Sequence, residues 1–317
     1  MRPVPSPALP RRLSTRERAA RAHVPPAAIA YITGAVLCFT SLDAITKFTT
    51  QHYSVPLLIF ARYGVQFVAM LAWLGPRMGR RLLRTERPRI QLVRAGILLA
   101  SSFLFVSALR FLPLAEATAL NYSTPIIVVI MSRLLLGEAM TRARIAFVFA
   151  GAVGMLMIVQ PGTEVFHGAA LLGIGAAVFY AGYQITTRML AGEDPLVLLF
   201  YPALVGTAVL TALAPTFAWP ASMPWTHVVL IVCAGLFGTF GHFLLILAFR
   251  LAPASALTPF TYTQLVFAML FGWLLYGDFP NAVRVAGMVV IAGSGLVMTL
   301  HERRRTRALV ADPVTIQ

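Results

Sequence analysis

Apolar runs of about 20 residues, parted by short polar breaks, fill most of this chain, and that length matches a hydrocarbon core roughly 30 Å thick. They fall near 27–49, 55–75, 91–110, 113–136, 141–160, 168–188, 194–214, 225–247, 253–276 and 281–300. Lipid offers no partner to a backbone amide or carbonyl, so spans of this length must be helices. The expected fold class is all-α integral membrane, with ten transmembrane helices. Composition agrees: 58% of the residues are hydrophobic and 12% are charged. Mean hydropathy is +0.78. A soluble protein of this size needs more polar surface than that.

The stretch from Ala108 to Arg144 reappears without a gap at Ala248 to Arg284. Arg110, Pro113, Thr118, Tyr122, Leu134, Leu135, Gly137 and Arg144 match Arg250, Pro253, Thr258, Tyr262, Leu274, Leu275, Gly277 and Arg284. Glu138 meets Asp278, another acid. The first halves agree more faintly: Phe60 meets Phe200, and Lys47 meets Arg188 one residue out of register. Most matched residues are polar, cyclic or small, so general greasiness does not explain them. Five spans per copy is an odd number, so the second copy must enter the membrane upside down. Inverted repeats give two nearly equal packings, open to either side, which is the requirement of a carrier.

The net charge of +15 comes almost entirely from arginine. The basic residues lie in tails and short loops, so they read as topology signals and not as a nucleic-acid surface. With the N-terminus inside, the loop holding Arg77, Arg80, Arg81, Arg84, Arg87 and Arg89 is also inside, as are Arg142, Arg188, Arg250 and Arg303 to Arg305. Outside loops carry Arg110 alone. Both termini are expected in the cytosol. Residues 1–26 hold six Arg and one Glu among many prolines and read as a disordered tail; 301–317 reads as a second basic tail. Arg11-Arg12 resembles a twin-arginine signal, but the run behind it carries Asp43 and Lys47, so it reads as an uncleaved first span.

Three features together carry a resemblance. A proline lies near the middle of span 4, Leu134-Leu135-Leu136-Gly137-Glu138 ends that span, and a Gly-rich span closes on Gln160-Pro161-Gly162. The second copy has Leu274-Leu275-Tyr276-Gly277-Asp278, then Gly287, Gly293 and Gly295. This pattern resembles the EamA domain, and two such domains resemble the drug/metabolite transporter superfamily over about residues 27–300. The segments Ser41 to Lys47 and Phe60 to Tyr63 are similar to a bacterial branch that includes S-adenosylmethionine uptake carriers and metabolite exporters. The resemblance implies two five-helix units, 27–160 and 168–300, and a cavity among spans 1, 3, 4, 6, 8 and 9.

Charges inside a span cost about 2.5 kcal/mol or more and face a partner or a wet cavity. Asp43 and Lys47 share one face of span 1 at i, i+4, and Arg62 and Glu116 enter spans 2 and 4 from the same side. They are expected to form one polar layer. One reading is a structural ion pair of Asp43 with Arg62 or Lys47; the other is cargo binding or gating. Lys47 could also snorkel to headgroups, and Glu116 could satisfy the helix start behind Pro113. In span 4, Pro125 cannot donate to the carbonyl of Asn121, which predicts a kink and a freed oxygen beside Asn121, Tyr122, Ser123 and Thr124. Span 9 offers Thr261, Tyr262, Thr263 and Gln264 at the matching depth. Interhelical bonding is the competing reading of both clusters. Asn121, Tyr122, Tyr262 and Gln264 are the expected cavity residues, with Lys47 and Glu116 as gate or charge-pair candidates. Tyr180, Tyr183 and Gln184 share a face of span 6 and form either an aromatic wall for cargo or plain packing. His242 reads as packing, and Glu138 and Asp278 as turn-closing acids.

Cys38 and Cys233 lie inside apolar runs, and no metal-ligand spacing, nucleotide loop or catalytic constellation occurs, so no cofactor and no enzyme activity are expected. The reading is a secondary carrier of a small polar metabolite, such as an amino acid or a related compound, in a bacterial inner membrane. Its alternatives are an S-adenosylmethionine-type carrier and, from another class, a multi-pass membrane enzyme. The glycines of spans 5 and 10 also suit a homodimer contact. With Cys38 and Cys233 replaced by serine, Phe217→Cys should react with an impermeant maleimide from outside and Thr85→Cys should not. The reverse pattern would overturn the orientation and the inverted repeat together.

Overall fold

Helix is the only regular structure among the described residues of the computed structural model, which are 25–136, 142–161, 168–190, 192–252, 257 and 260–311. The helices are α1 (Pro26–Thr50), α2 (Val55–Met78), α3 (Pro88–Phe111), α4 (Leu114–Asn121), α5 (Thr124–Leu136) and α6 (Arg142–Val159). The second half holds α7 (Ala170–Met189), α8 (Pro195–Leu213), α9 (Trp225–Leu251), α10 (Thr263–Tyr276) and α11 (Ala282–Ala311). Prolines start α1, α2, α3 and α8, where a missing N–H costs nothing. Asp194 caps α8 by accepting from the Leu196 amide at 2.8 Å. The Gly137-Glu138 turn, Gly162, Pro253, Thr258 and residues 1–24 and 312–317 lie outside the described residues.

Among the described residues, eight helical stretches are long and apolar enough to cross a membrane, and two shorter apolar helices, Ile145–Val159 and Thr263–Tyr276, accompany them. Large apolar side chains such as Val68, Phe149, Leu171, Val266 and Val289 point out of the bundle. In a bilayer they meet lipid tails at no cost, whereas in water they would form a sticky girdle.

One expectation needs correction. Span 4 is not one kinked helix but two, α4 and α5, with Tyr122 and Ser123 in the turn between them. Pro125 causes the break, as it cannot donate to Asn121. The freed carbonyl is not left open for cargo, because Thr124 Oγ1 donates to it at 2.6 Å. Tyr262, 140 residues after Tyr122, likewise sits in a turn, just before α10. The last apolar stretch, Ala282–His301, agrees with the expected span 281–300, and α11 continues past it to Ala311, through His301 and Arg304. At 1.5 Å per residue it is about 45 Å long, so its last turns leave the hydrocarbon.

Helix packing follows the repeat. Helix α1 lies along α9, and its counterpart α7 lies along α3. Helix α2 packs on α9 as α8 packs on α3, and α10 meets α1 as α5 meets α7. Outside this core, α6 and α11 pack on each other through their glycines. A methyl on Gly154 would come within 2.9 Å of the Gly287 carbonyl, and one on Gly287 within 2.7 Å of the Gly154 carbonyl. These small residues are therefore used inside the chain. Gly154→Val and Gly287→Val should each cost about 1–3 kcal/mol by overpacking. That predicts a melting temperature lower by roughly 2–6 °C in detergent. Gly293→Ala, with open space around it, is the control and should change nothing.

Candidate functional site

The start of α1 at Pro26 and the end of α11 at Ala311 mark one face of the bundle, here the terminal face; the starts of α2, α4 and α9 mark the far face. Two of the cavities among the described residues lie between the faces. The smaller, about 220 Å³, is bordered by Asp43, Arg62, Tyr63, Ser102, Tyr183 and His242 among others. The larger, about 560 Å³, is bordered by Tyr122, Gln184, Tyr262, Arg188, Phe249 and Thr299 among others. Arg188 and Phe249 lie in the last turns of α7 and α9, so the larger cavity reaches the terminal face. Phe39, Asn121, Tyr180, Leu245 and Gln264 border both cavities and form the wall between them.

All nine cavity candidates named from the sequence border one cavity or the other. Asp43, Arg62 and Tyr183 face the smaller one, Tyr122, Gln184 and Tyr262 the larger, and Asn121, Tyr180 and Gln264 both. The broken helices bring the residues of the wall together. The Tyr122 hydroxyl lies 2.6 Å from the carbonyl oxygen of Thr261, to which it donates, and 2.9 Å from Gln264 Oε1. Gln264 Nε2 in turn donates to Asp43 at 3.4 Å. The Tyr122 and Tyr262 rings pack 5.2 Å apart. Gly295 gives Tyr262 its room, since a methyl there would overlap the Tyr262 hydroxyl. Phe39 packs edge-on against His242, 5.0 Å away, so His242 combines packing with a place on the cavity wall.

Lys47 and Glu116 border neither cavity. The expected single layer of Asp43, Lys47, Arg62 and Glu116 divides in two. Asp43 and Arg62 stay at the smaller cavity, while Lys47 and Glu116 belong to a cross-link at the far face. Lys47 Nζ donates to the Leu112 carbonyl at 2.8 Å, lies 3.7 Å from Asp278 and sits 5.3 Å over the Tyr276 ring. It therefore does not snorkel to headgroups. Glu116, 3% exposed, pairs with Arg284 instead of satisfying a helix start. Tyr276 donates to the Ala44 carbonyl at 2.6 Å, and Gln51 to the Arg110 carbonyl at 3.0 Å. Asp278 does close a turn, with Gly277 left-handed at φ 70° and the Asp278 amide donating to Gly272 at 3.1 Å, but its carboxylate also serves Lys47. Asp43 pairs with neither Lys47 nor Arg62: the described residues hold no ion pair that includes Asp43 or Arg62. Helix ends within a short loop of each other do not fix which side chains meet.

Sequence reasoning missed Arg94, which is 2% exposed. Its guanidinium donates to Thr187 Oγ1 at 2.7 Å, the Leu198 carbonyl at 2.8 Å, Gln91 at 3.3 Å and the Tyr183 hydroxyl at 2.7 Å. Four neutral acceptors thus hold one charge and tie α3 to α7 and α8. They also fix Tyr183, which stacks on Tyr180 at 5.6 Å. The available signal was an arginine one turn inside an apolar run. Ser101 and Ser102 were also missed, because a serine in a membrane helix usually bonds its own backbone.

Comparison with known proteins agrees with this geometry. The EamA-like transporter family matches twice, over residues 26–160 and 167–300. A riboflavin transporter of Rhizobium johnstonii is 30% identical, over 86% of this chain and 90% of its own length. One from Vibrio cholerae is 27% identical, over 90% and 97%. An S-adenosylmethionine uptake transporter of Rickettsia prowazekii is 27% identical, over 83% and 88%. A solved crystal structure shares the fold with a TM-score of 0.63 at 21% identity, covering 87% of this chain and 98% of the other. The family and these relatives are transporters, not enzymes. With eight long apolar helices and both halves matched, the chain is a multi-pass membrane protein and small-molecule transporter that belongs to the EamA-like transporter family.

Proposed function

We propose that this protein is a secondary carrier that moves a small polar metabolite across a bacterial inner membrane by alternating access. Its working unit is a pair of inverted five-helix repeats, 27–160 and 168–300, giving ten crossings between cytosolic tails 1–26 and 301–317. The exchangeable helix packing and the matching breaks at Tyr122 and Tyr262 support the inversion. The arginine distribution supports cytosolic termini, which makes the terminal face cytosolic and the far face external.

The observation that carries the mechanism is the asymmetry between the faces. The larger cavity reaches the terminal face, while Lys47, Asp278, Glu116, Arg284 and Tyr276 tie the far-face ends of α1, α4, α10 and α11 together. This is the arrangement of a carrier open to the cytosolic side and closed to the other. Opening the far face requires breaking two ion pairs and the bond from Lys47 to Leu112, and cargo in the wall region can offset that cost only by contacts it gains in the other state.

The named relatives bear on the cargo. Riboflavin and S-adenosylmethionine each join a planar nitrogen ring to a polar chain. A cavity walled by Phe39, Tyr122, Tyr180 and Tyr262, with the amides of Asn121 and Gln264, suits such a compound better than a bare amino acid. Asn121, Tyr122, Tyr262 and Gln264 are assigned to the ring.

Two tests apply. Tyr122→Phe removes the hydroxyl that links Thr261 and Gln264, and should lower uptake in vesicles by roughly tenfold, about 1.4 kcal/mol, at unchanged folded yield. Normal uptake by that variant would remove Tyr122 from the site. Lys47→Gln should loosen the far face. In a background lacking native cysteines, Phe105→Cys at the smaller cavity should then react with an external maleimide at least several-fold faster than with Lys47 present. An unchanged rate would mean that the cross-link does not govern access.

A further inference from the structure

Asp43 and Arg62 border the same cavity of about 220 Å³, one acid and one base, yet they do not pair. Asp43 is 7% exposed, and its contact is the long bond from Gln264 at 3.4 Å. Lys47, one turn along the same helix face, is drawn away to Leu112 and Asp278. Arg62 Nη2 donates to Ser102 Oγ at 3.0 Å, and its guanidinium lies 5.4 Å from the Tyr63 ring. A carboxylate has acceptor sites on both oxygens and a guanidinium has five donors, so both groups keep capacity turned toward the cavity.

Two opposite charges this close to hydrocarbon would normally collapse on each other, since each is costly alone. Here each is steadied by a neutral partner and the space between is kept. The cavity that both border, about 220 Å³, has room for an ammonium–carbon–carboxylate unit. We infer that the smaller cavity receives a zwitterionic aminocarboxylate head group, ammonium on Asp43 and carboxylate on Arg62, while the ring of the same molecule occupies the larger cavity. This rests on the carrier reading above and narrows its cargo to compounds that join a planar ring to an amino-acid end. The shared wall fits the assignment. An arriving ammonium replaces Gln264 Nε2 at Asp43, and the released amide can turn to the ring across the wall.

The test is calorimetric binding to the full chain in nanodiscs with three probes. S-Adenosylhomocysteine and 5′-methylthioadenosine share adenine, ribose and a thioether and differ in the aminocarboxylate; riboflavin carries no charged group. S-Adenosylhomocysteine should bind at least tenfold more tightly than 5′-methylthioadenosine. Asp43→Asn and Arg62→Gln should each weaken it at least tenfold and leave 5′-methylthioadenosine within twofold. Equal binding of the two nucleosides would overturn the inference, as would tight riboflavin binding that neither substitution alters. So would recovery of binding in the double variant, which would mean that the two side chains serve each other. Absence of binding by all three also overturns the head-group assignment. None of these results touches the carrier reading, which is tested by uptake in vesicles and not by binding.

Discussion

Lys47 holds the far face of this bundle together, and it can do so because lipid leaves a lysine few alternatives. A charge on α1 at that depth must find a partner or reach water. It finds the carbonyl that ends α3, the carboxylate after α10 and the ring of Tyr276. Three separate stretches of chain therefore meet at one ammonium. The second ion pair, Arg284 with Glu116, ties the last helix to the broken one beside it. The cavities on the other side of this seal exist because the seal keeps the far ends close while the terminal ends of α7, α9 and α11 stand apart around the larger cavity.

The wall between the cavities depends on two broken helices. A continuous helix would satisfy every backbone group and present one smooth face. The breaks at Tyr122 and Tyr262 turn short helical pieces toward each other, so a tyrosine from one half bonds the backbone and the amide of the other. Such a contact is directional and can be remade at a different angle. The apolar packing of α6 against α11, glycine on glycine, has no such freedom.

Much of this was legible in the chain because membrane helices obey few rules. Run length gave the helices, the 140-residue recurrence gave the paired halves, and polar residues at mid-span pointed to the cavity. Pro125 announced the break, since proline's missing donor is a local fact. The partners of the charges were not legible. Asp43, Lys47, Arg62 and Glu116 enter from one side at similar depth, yet they separate by which neighbour each helix faces, and sequence spacing does not encode rotation about a helix axis. The partner of Glu116 lies 168 residues away in the last helix, beyond any local signal. Arg94 was hidden for a related reason: an arginine near a span end looks like a loop residue until its four neutral acceptors are seen.

Those acceptors have an electrical consequence. Hydroxyl, amide and carbonyl oxygens hold Arg94 in place but do not cancel its charge, and Arg188 adds a second positive centre at the larger cavity. Among the described residues, Asp43 is the one carboxylate that borders either cavity, against Arg62 and Arg188 at the cavities and Arg94 behind Tyr183. A monovalent cation passing about 10 Å from Arg94 would meet roughly 1.7 kcal/mol of repulsion at an effective dielectric near 20. An anion would gain the same amount, and a molecule with equal and opposite charges would pass nearly untaxed. Buried guanidinium groups held by neutral acceptors therefore bias the interior against net positive charge before any shape is read.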